Sequence, residues 1–204
     1  MFVFEGIDCC GKTTAINYIK DKLIEKGKTV TVLNDFITCP ELKKKLLETQ
    51  DPKQQIQIVL EARNKTKQLL SETQGVILYD RYALSTVVYQ IIKFPNERSL
   101  KPILDPELIS LVEENTLPYH LICIRPTEKF EAKRPKFLSK RENNKKDLED
   151  QYWNRKAFWY LTTFGHKHNF KNILGISQSI IHNDGDESFF KELDTCVKTI
   201  LEEK

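Results

Sequence analysis

The sequence predicts an α/β fold of three layers, in which helices cover both faces of a mostly parallel sheet of five strands. Three observations carry this prediction. Short apolar, β-branched runs alternate along the chain with segments of helical periodicity. The short runs are apolar at consecutive positions, as in strands that are buried on both faces. The 204 residues, 40% of them hydrophobic, suit a single domain over residues 1–204.

The first strand and the loop after it contain the clearest motif. Phe2-Val3-Phe4 is a predicted buried strand, and Gly6-Ile7-Asp8-Cys9-Cys10-Gly11-Lys12-Thr13 follows it with the spacing G-x-x-x-x-G-K-[ST]. Glycines let backbone N–H groups converge on phosphates, and the helix that follows adds the positive end of its dipole. We expect Lys12 to reach the β- and γ-phosphates and Thr13 to ligate Mg²⁺. Residues 6–13, called the phosphate loop below, therefore predict binding of a nucleoside triphosphate. The residues expected to contact it are Gly6, Ile7, Asp8, Cys9, Cys10, Gly11, Lys12, Thr13 and Thr14.

The remaining elements follow in order along the chain. Apolar and β-branched runs predict strands at 29–33, 76–80, 119–124 and 179–182. Helical periodicity predicts helices at 41–49, 52–70, 85–92 and 107–114, with a loop at 96–106. Asp186 is expected to cap a final helix. The apolar stripe of that helix consists of Phe189, Leu193, Val197, Ile200 and Leu201.

The strand at 76–80 ends in Asp80, and the place of this carboxylate is informative. Ligands of open α/β sheets bind at the carboxyl ends of the strands, so Asp80 is predicted to orient Mg²⁺ beside Lys12. A helix N-cap is the alternative role for an aspartate here. Arg81 follows directly, and its fork of N–H donors suits a second phosphate group.

These two segments resemble the thymidylate kinase family. The resemblance rests on Phe4-Glu5-Gly6-Ile7-Asp8 running into Gly11-Lys12-Thr13-Thr14, and on Asp80-Arg81-Tyr82-Ala83-Leu84-Ser85-Thr86-Val87-Val88-Tyr89-Gln90. It implies the P-loop kinase fold with a short lid. It also implies Mg²⁺-dependent transfer of the ATP γ-phosphoryl group to dTMP, giving dTDP and ADP. Homodimerisation is a further expectation from the family.

The resemblance also implies an acceptor site. Asp8 would lie near the 3′-hydroxyl of the acceptor nucleotide and could help to hold magnesium, and Arg81 would contact the monophosphate. Tyr89 would pack under the sugar, where a bulky ring disfavours a 2′-hydroxyl. Thr86 would offer its hydroxyl to a pyrimidine edge. The full set of implied acceptor residues is Asp8, Val59, Arg63, Arg81, Ser85, Thr86 and Tyr89.

Three positions depart from the family pattern. Val59, four residues before Arg63, stands where the family has an aromatic ring, and a valine can pack on a base but cannot stack. Residues 34–40 lack the arginine that is common after the second strand, and Leu148 follows Asp147 where a second Asp-Arg pair is frequent. Without the family match, Arg63 on a polar helix would be a solvated side chain. Phosphoryl transfer is therefore better supported by the sequence than thymine specificity.

A basic stretch runs from residue 125 to 146. It could be a pair of solvated helices, a nucleic-acid-binding surface with only Phe130 and Phe137 as interleaved aromatics, or a lid over ATP at about 127–149. Thymidylate kinases carry their transition-state arginine in the phosphate loop or in the lid. The phosphate loop here has no arginine, so the candidates are the lid residues Arg134 and Arg141. Replacing the one that acts should lower kcat far more than it weakens ATP binding. The expected catalytic residues are thus Lys12, Asp8, Arg81, Arg134 and Arg141.

Composition limits the other classes. A formal charge of +3 does not by itself indicate nucleic acid or membrane, and no apolar run approaches the ~20 residues of a membrane span. The five cysteines contain no C-x-x-C pair, which predicts free thiols; no signal peptide precedes the first strand, and a cytoplasmic protein is expected. The alternatives are a kinase for another (deoxy)nucleoside monophosphate or a deoxynucleoside, and more remotely a nucleic-acid-dependent P-loop ATPase.

Overall fold

A computed structural model describes residues 1–96, 98–132, 145–168, 170 and 172–203 of the chain. Five strands form one sheet in the order β2-β3-β1-β4-β5, and every neighbouring pair is parallel. The strands are β1 Phe2–Glu5, β2 Val30–Leu33, β3 Val76–Asp80, β4 His120–Pro126 and β5 Ser177–Asn183. The predicted α/β architecture and its five strands are confirmed.

Eight α-helices lie in the described residues: α1 Lys12–Glu25, α2 Pro40–Glu48, α3 Pro52–Glu72, α4 Ala83–Thr86, α5 Pro106–Glu114, α6 Glu128–Glu131, α7 Lys145–Phe164 and α8 Glu187–Glu202. Proline opens α2, α3 and α5, where its missing N–H costs nothing. Aspartates cap three helix starts. Asp51 accepts from Gln54 N, Asp105 from Leu108 N, and Asp186 from Ser188 N, as predicted for Asp186.

The helix predicted at 85–92 takes a different form. Only Ala83–Thr86 is α-helical, and Val87–Ile91 continues it as a π-helical turn. Ile92 N donates to Val87 O at 2.9 Å, a bond that spans five residues and widens the helix. This wide turn carries Tyr89.

The core surrounds the central strand. All four residues of β1 are buried, which requires layers on both faces of the sheet. Helices α1 and α8 pack together, while α3, α5 and α7 pack against the helical segment at 83–91. The predicted stripe of α8 is confirmed, since Phe189, Leu193, Val197 and Ile200 are buried. In the described part of the chain, no helix combines the length and apolar character needed to cross a bilayer.

Candidate active site

The phosphate loop has the backbone that its spacing predicts. Gly6 has φ of 144° and Gly11 has φ of 100°, values that L side chains rarely adopt. A Cβ on Gly6 would lie 2.6 Å from the carbonyl oxygen of Ile124, and one on Gly11 would lie 2.4 Å from Asn183 Nδ2. Cys9 also has positive φ, at 55°, an uncommon conformation for a residue other than glycine. The loop is therefore held tightly against the ends of β4 and β5.

Lys12 lies inside this loop. Its buried Nζ donates to the carbonyl oxygens of Gly6 and Ile7 at 2.9 Å each. Thr13 and Thr14 are exposed at the start of α1, where a helix dipole favours an anion. The ammonium group and the helix start thus face the same short stretch of backbone, as binding of a triphosphate requires.

Asn183, the last residue of the edge strand β5, holds the phosphate loop in place, and this role was not predicted from the sequence. It is buried at the end of β5, and its Nδ2 donates to Cys10 O at 2.9 Å. No local signal marks this role, because Asn183 is 173 residues from Cys10 along the chain.

All five cysteines are free thiols, as predicted.

Arg81 joins the phosphate loop to the predicted acceptor residues. Its φ of 67° lies in the left-handed region, so β3 turns sharply at this residue. Nη2 meets Asp8 Oδ1 at 2.5 Å, and Nη1 donates to Gly6 O at 3.2 Å. Nη1 also donates to Ser85 Oγ at 3.2 Å and to Tyr89 OH at 3.0 Å. Burial opposes its charged form, but Tyr89 and Asp8 outweigh burial and raise the pKa of Arg81 above its ordinary value. Asp8, Arg81, Ser85 and Tyr89 are thus brought together.

Asp80 occupies the predicted position at the carboxyl end of β3. The N-cap alternative for it is wrong, since the residue at the start of α4 is Tyr82 and no side chain caps that helix. Asp80 Oδ1 is buried and has no hydrogen-bond partner among the described residues. A buried carboxylate oxygen without a donor fits a cation or its water shell.

A Mg²⁺ ion beside Asp80 would need ligands from the protein, from water and from the bound phosphates together. Among the described residues, no group of three or more His, Cys, Asp or Glu side chains is arranged to hold a metal. Mg²⁺ in kinases is instead held by one or two protein oxygens, waters and the substrate phosphates. Asp80 and Thr13 suit that arrangement.

Arg63 is not a solvated side chain, so the interpretation from the residues alone was wrong. It is fully buried, and its guanidinium lies 4.2 Å from the ring centre of Tyr82. Nε and Nη2 form a bidentate pair with Asp35 at 3.2 and 2.9 Å, and Nη2 also donates to Thr86 Oγ1 at 3.0 Å. Burial disfavours the charged form, yet Asp35 outweighs burial and raises the pKa of Arg63. Arg63 Nη1 has no hydrogen-bond partner among the described residues.

The predicted base-pocket residues lie close to this pair. Thr86 Oγ1 donates to Tyr82 O at 3.1 Å and accepts from Arg63. Val59, Arg63, Ser85 and Thr86 are each less than a tenth exposed, so the side chains at this end of the site are buried together.

Glu5 is a second residue that sequence reasoning missed. Its buried carboxylate accepts from Tyr82 N at 2.7 Å, from Ser85 N at 3.0 Å and from Ser85 Oγ. Burial raises the pKa of Glu5 above its ordinary value. Two signals were available: Glu5 ends the buried run Phe2-Val3-Phe4, and it belongs to the motif Phe4-Glu5-Gly6-Ile7-Asp8 that carries the family resemblance. Glu5 holds the start of α4 and thereby the segment from Arg81 to Ser85.

The predicted lid at about 127–149 lies largely outside the described residues, and so do Arg134 and Arg141. Two basic residues of the stretch from 125 to 146, Arg125 and Lys129, contact other parts of the described fold. Arg125 Nη2 donates to Thr162 Oγ1 on α7, and Lys129 Nζ meets Asp186 at 2.7 Å.

A cavity of about 480 Å³ adjoins the phosphate loop. Gly6, the end of β4 and the α7 residues Arg155 and Phe158 line it. Phe158 also packs edge-on against Tyr89, with ring centres 6.0 Å apart. Phe158 therefore lies between this cavity and Tyr89.

Comparisons with known proteins agree with the family resemblance of the sequence motifs. A family model described as thymidylate kinase matches residues 4–173. A thymidylate kinase of Geobacter sp. (strain M21) is 32% identical over 98 residues, which are 43% of this chain and 44% of that protein. A probable thymidylate kinase of Methanobrevibacter smithii is 32% identical over 154 residues, 72% of this chain and 79% of that protein. The crystal structure of thymidylate kinase from Ehrlichia chaffeensis superposes with a TM-score of 0.61 at 18% identity, over 98% of each chain, and so shares the fold.

Proposed function

Since this chain belongs to the thymidylate kinase family, we propose that it transfers the γ-phosphoryl group of ATP to dTMP, giving dTDP and ADP. The observation that carries the proposal is the contact of Arg81 with Asp8 beside the phosphate loop. It supports an arrangement in which one cationic fork faces an acceptor phosphate while Lys12 faces the donor.

The donor side follows from the phosphate loop. Backbone N–H groups of residues 6–13 and the start of α1 would hold the triphosphate. Lys12 Nζ would exchange the carbonyl oxygens of Gly6 and Ile7 for phosphate oxygens. Thr13 and Asp80 would hold Mg²⁺, which when bound neutralises charge that develops on the phosphates.

The acceptor side follows from the Arg81 cluster. Arg81 would hold the monophosphate, Asp8 would lie by the 3′-hydroxyl, and Tyr89 would pack under the sugar. An acceptor phosphate oxygen attacks the γ-phosphorus as the bond to the β-phosphate oxygen breaks, so ADP leaves. Positioning and charge stabilisation supply most of the rate in such transfers.

The base end favours a 4-oxo pyrimidine. The Thr86 hydroxyl donates its hydrogen bond to Tyr82 O, so it can only accept a hydrogen bond from a ligand. Arg63 Nη1 can only donate. This pair matches the N3–H donor and the O4 acceptor of thymine, whereas cytosine presents an acceptor at N3 and an amino donor at N4. Val59 would pack against the base without stacking.

A coupled ADP-release assay tests the proposal across dTMP, dUMP, dCMP, dGMP, UMP and thymidine. We expect dTMP to give the highest kcat/KM, and thymidine, which lacks a phosphate for Arg81, to give none. Highest activity with thymidine would support a nucleoside kinase instead. ADP release that is stimulated by DNA, falls steeply with salt and needs no monophosphate would support the P-loop ATPase.

The metal assignment has its own test. Asp80→Asn should raise the Mg²⁺ concentration for half-maximal rate, because the carboxylate charge is lost. Asp51→Asn, at the exposed cap of α3, is the matched control. Equal Mg²⁺ dependence in both variants would remove Asp80 from the metal site. Arg134 and Arg141, the single domain, the homodimer and the cytoplasmic location stay predictions.

A further inference from the structure

We propose that Asp35 is a positioning residue that fixes which N–H groups of Arg63 face the acceptor base, and so sets the preference for a 4-oxo pyrimidine. This proposal rests on the proposed function. Asp35 lies in the loop between β2 and α2, in a stretch whose only signal from the sequence is a missing arginine.

Asp35 gathers donors from two elements. Its Oδ1 accepts from Arg63 Nε at 3.2 Å and from Tyr79 OH at 2.8 Å. Its Oδ2 accepts from Arg63 Nη2 at 2.9 Å. Two parallel bonds to one carboxylate fix both the plane and the rotation of the guanidinium. Tyr79 on β3 in turn holds the carboxylate against the sheet.

The fixed rotation decides which donors are left. Nε and one N–H of Nη2 are taken by Asp35, and the other N–H of Nη2 is taken by Thr86. Nη1 retains both of its N–H groups, is buried, and has no partner among the described residues. A buried donor without an acceptor is costly, and a ligand carbonyl oxygen would relieve that cost.

The charge of Asp35 further defines the ligand. Arg63 and Asp35 are both buried and form an ion pair in which the two opposite charges cancel. Arg63 therefore offers no uncompensated positive charge to a phosphate. Arg81 near Asp8 is the phosphate-side arginine, and Arg63 is the base-side one.

A purely structural role for the pair makes a different prediction. If Asp35 only joins the loop after β2 to α3, its loss lowers stability and leaves the choice of base unchanged. If Asp35 orients Arg63, its loss lets the guanidinium rotate, and discrimination between bases falls. The ratio of kcat/KM for dTMP to that for dCMP therefore separates the two roles.

The experiment measures this ratio for the wild-type chain, Asp35→Asn and Tyr79→Phe, together with KM for ATP and thermal unfolding. For Asp35→Asn we expect kcat/KM for dTMP to fall roughly 10–100-fold, mainly through KM, with a narrower dTMP/dCMP ratio and an unchanged KM for ATP. Tyr79→Phe keeps the bidentate pair, so it should lower the dTMP/dCMP ratio of kcat/KM by a smaller factor. If Asp35→Asn does not fold, the ratio in Tyr79→Phe tests the positioning role of Asp35. Asp51→Asn is the control and should keep the wild-type ratio.

The outcomes are distinguishable. If the wild-type chain phosphorylates dTMP and both variants keep its ratio of kcat/KM for dTMP to that for dCMP, the role of Asp35 is overturned. The proposed function is then unaffected. A wild-type chain that phosphorylates no monophosphate overturns the proposed function, and this proposal with it.

Discussion

Arg81 shows how one strained residue can organise a site. A non-glycine residue at φ of 67° costs conformational energy, which the fold must offset. The turn directs the guanidinium back to the phosphate loop, where Asp8, Gly6 and Tyr89 hold it. The strain is thus coupled to the place where the two nucleotides would meet.

Arg81→Lys tests that coupling. A lysine keeps the charge but loses the fork, so we expect kcat/KM for dTMP to fall roughly 10–150-fold, the loss of one charged hydrogen bond of about 1.5–3 kcal/mol. KM for ATP should change little. Steady-state kinetics with each substrate varied in turn measures both. Arg98→Lys, on an exposed loop, is the control; equal effects on both substrates would argue against an acceptor role.

Glu5 gives the stability of the chain a pH dependence. Because burial raises its folded pKa above the ordinary value of 4.5, its protonated form contributes stability that is fully present below that value. The contribution is lost as pH rises through the folded pKa. Glu5→Gln removes this loss, so the Tm of the variant relative to wild type should rise as pH increases above 4.5. Thermal unfolding between pH 4 and 8 measures it, with exposed Glu61→Gln as control. Parallel curves for Glu5→Gln and wild type would contradict the prediction.

The site could be predicted from the sequence only where residues share a motif. Asp8, Arg81, Ser85 and Tyr89 belong to two compact motifs, and the structure brings them together. Asp35 was missed because its role depends on Arg63, which lies 28 residues away, and a lone aspartate in a loop carries no signal of that contact.

At the scale of elements, helix starts are local and therefore predictable. Pro106 after Asp105 marks the start of α5, and the Asp105 carboxylate accepts from two backbone N–H groups at 3.1 and 3.2 Å. The π turn at Val87–Ile91 was not foreseen. Tyr89 in this turn packs against Phe158 of another helix, a tertiary contact that local sequence does not show.

Asp105→Ala should destabilise the chain by about 1 kcal/mol, because two N–H groups of α5 lose their acceptor. Asp105→Ser, which can still cap, should lose less. Urea unfolding of the two variants beside wild type measures the difference. Equal losses in both would mean that capping is not what Asp105 contributes.

At the scale of the whole molecule, alternation of strand and helix predicted the parallel sheet, while its strand order depends on packing between distant segments. Helix α8 closes that packing. It lies against α1 and covers the sheet with a stripe in which Leu193 is fully buried.

Leu193→Ala should cost roughly 2–5 kcal/mol in the free energy of unfolding, since a buried leucine leaves a cavity when truncated. Leu47→Ala is the matched control, because Leu47 is 75% exposed and its loss should be close to neutral. Chemical denaturation at constant pH measures both. Similar losses at the two sites would contradict the packing described for α8.

The bond from Asn183 to the phosphate loop has a consequence for synthesis on the ribosome. During synthesis, the amide that holds Cys10 O is added 173 residues after Cys10 itself. Until that final strand docks, the emerging polypeptide has the glycines and the lysine but not the brace behind them. Its grip on nucleotide is completed only once β5 is in place.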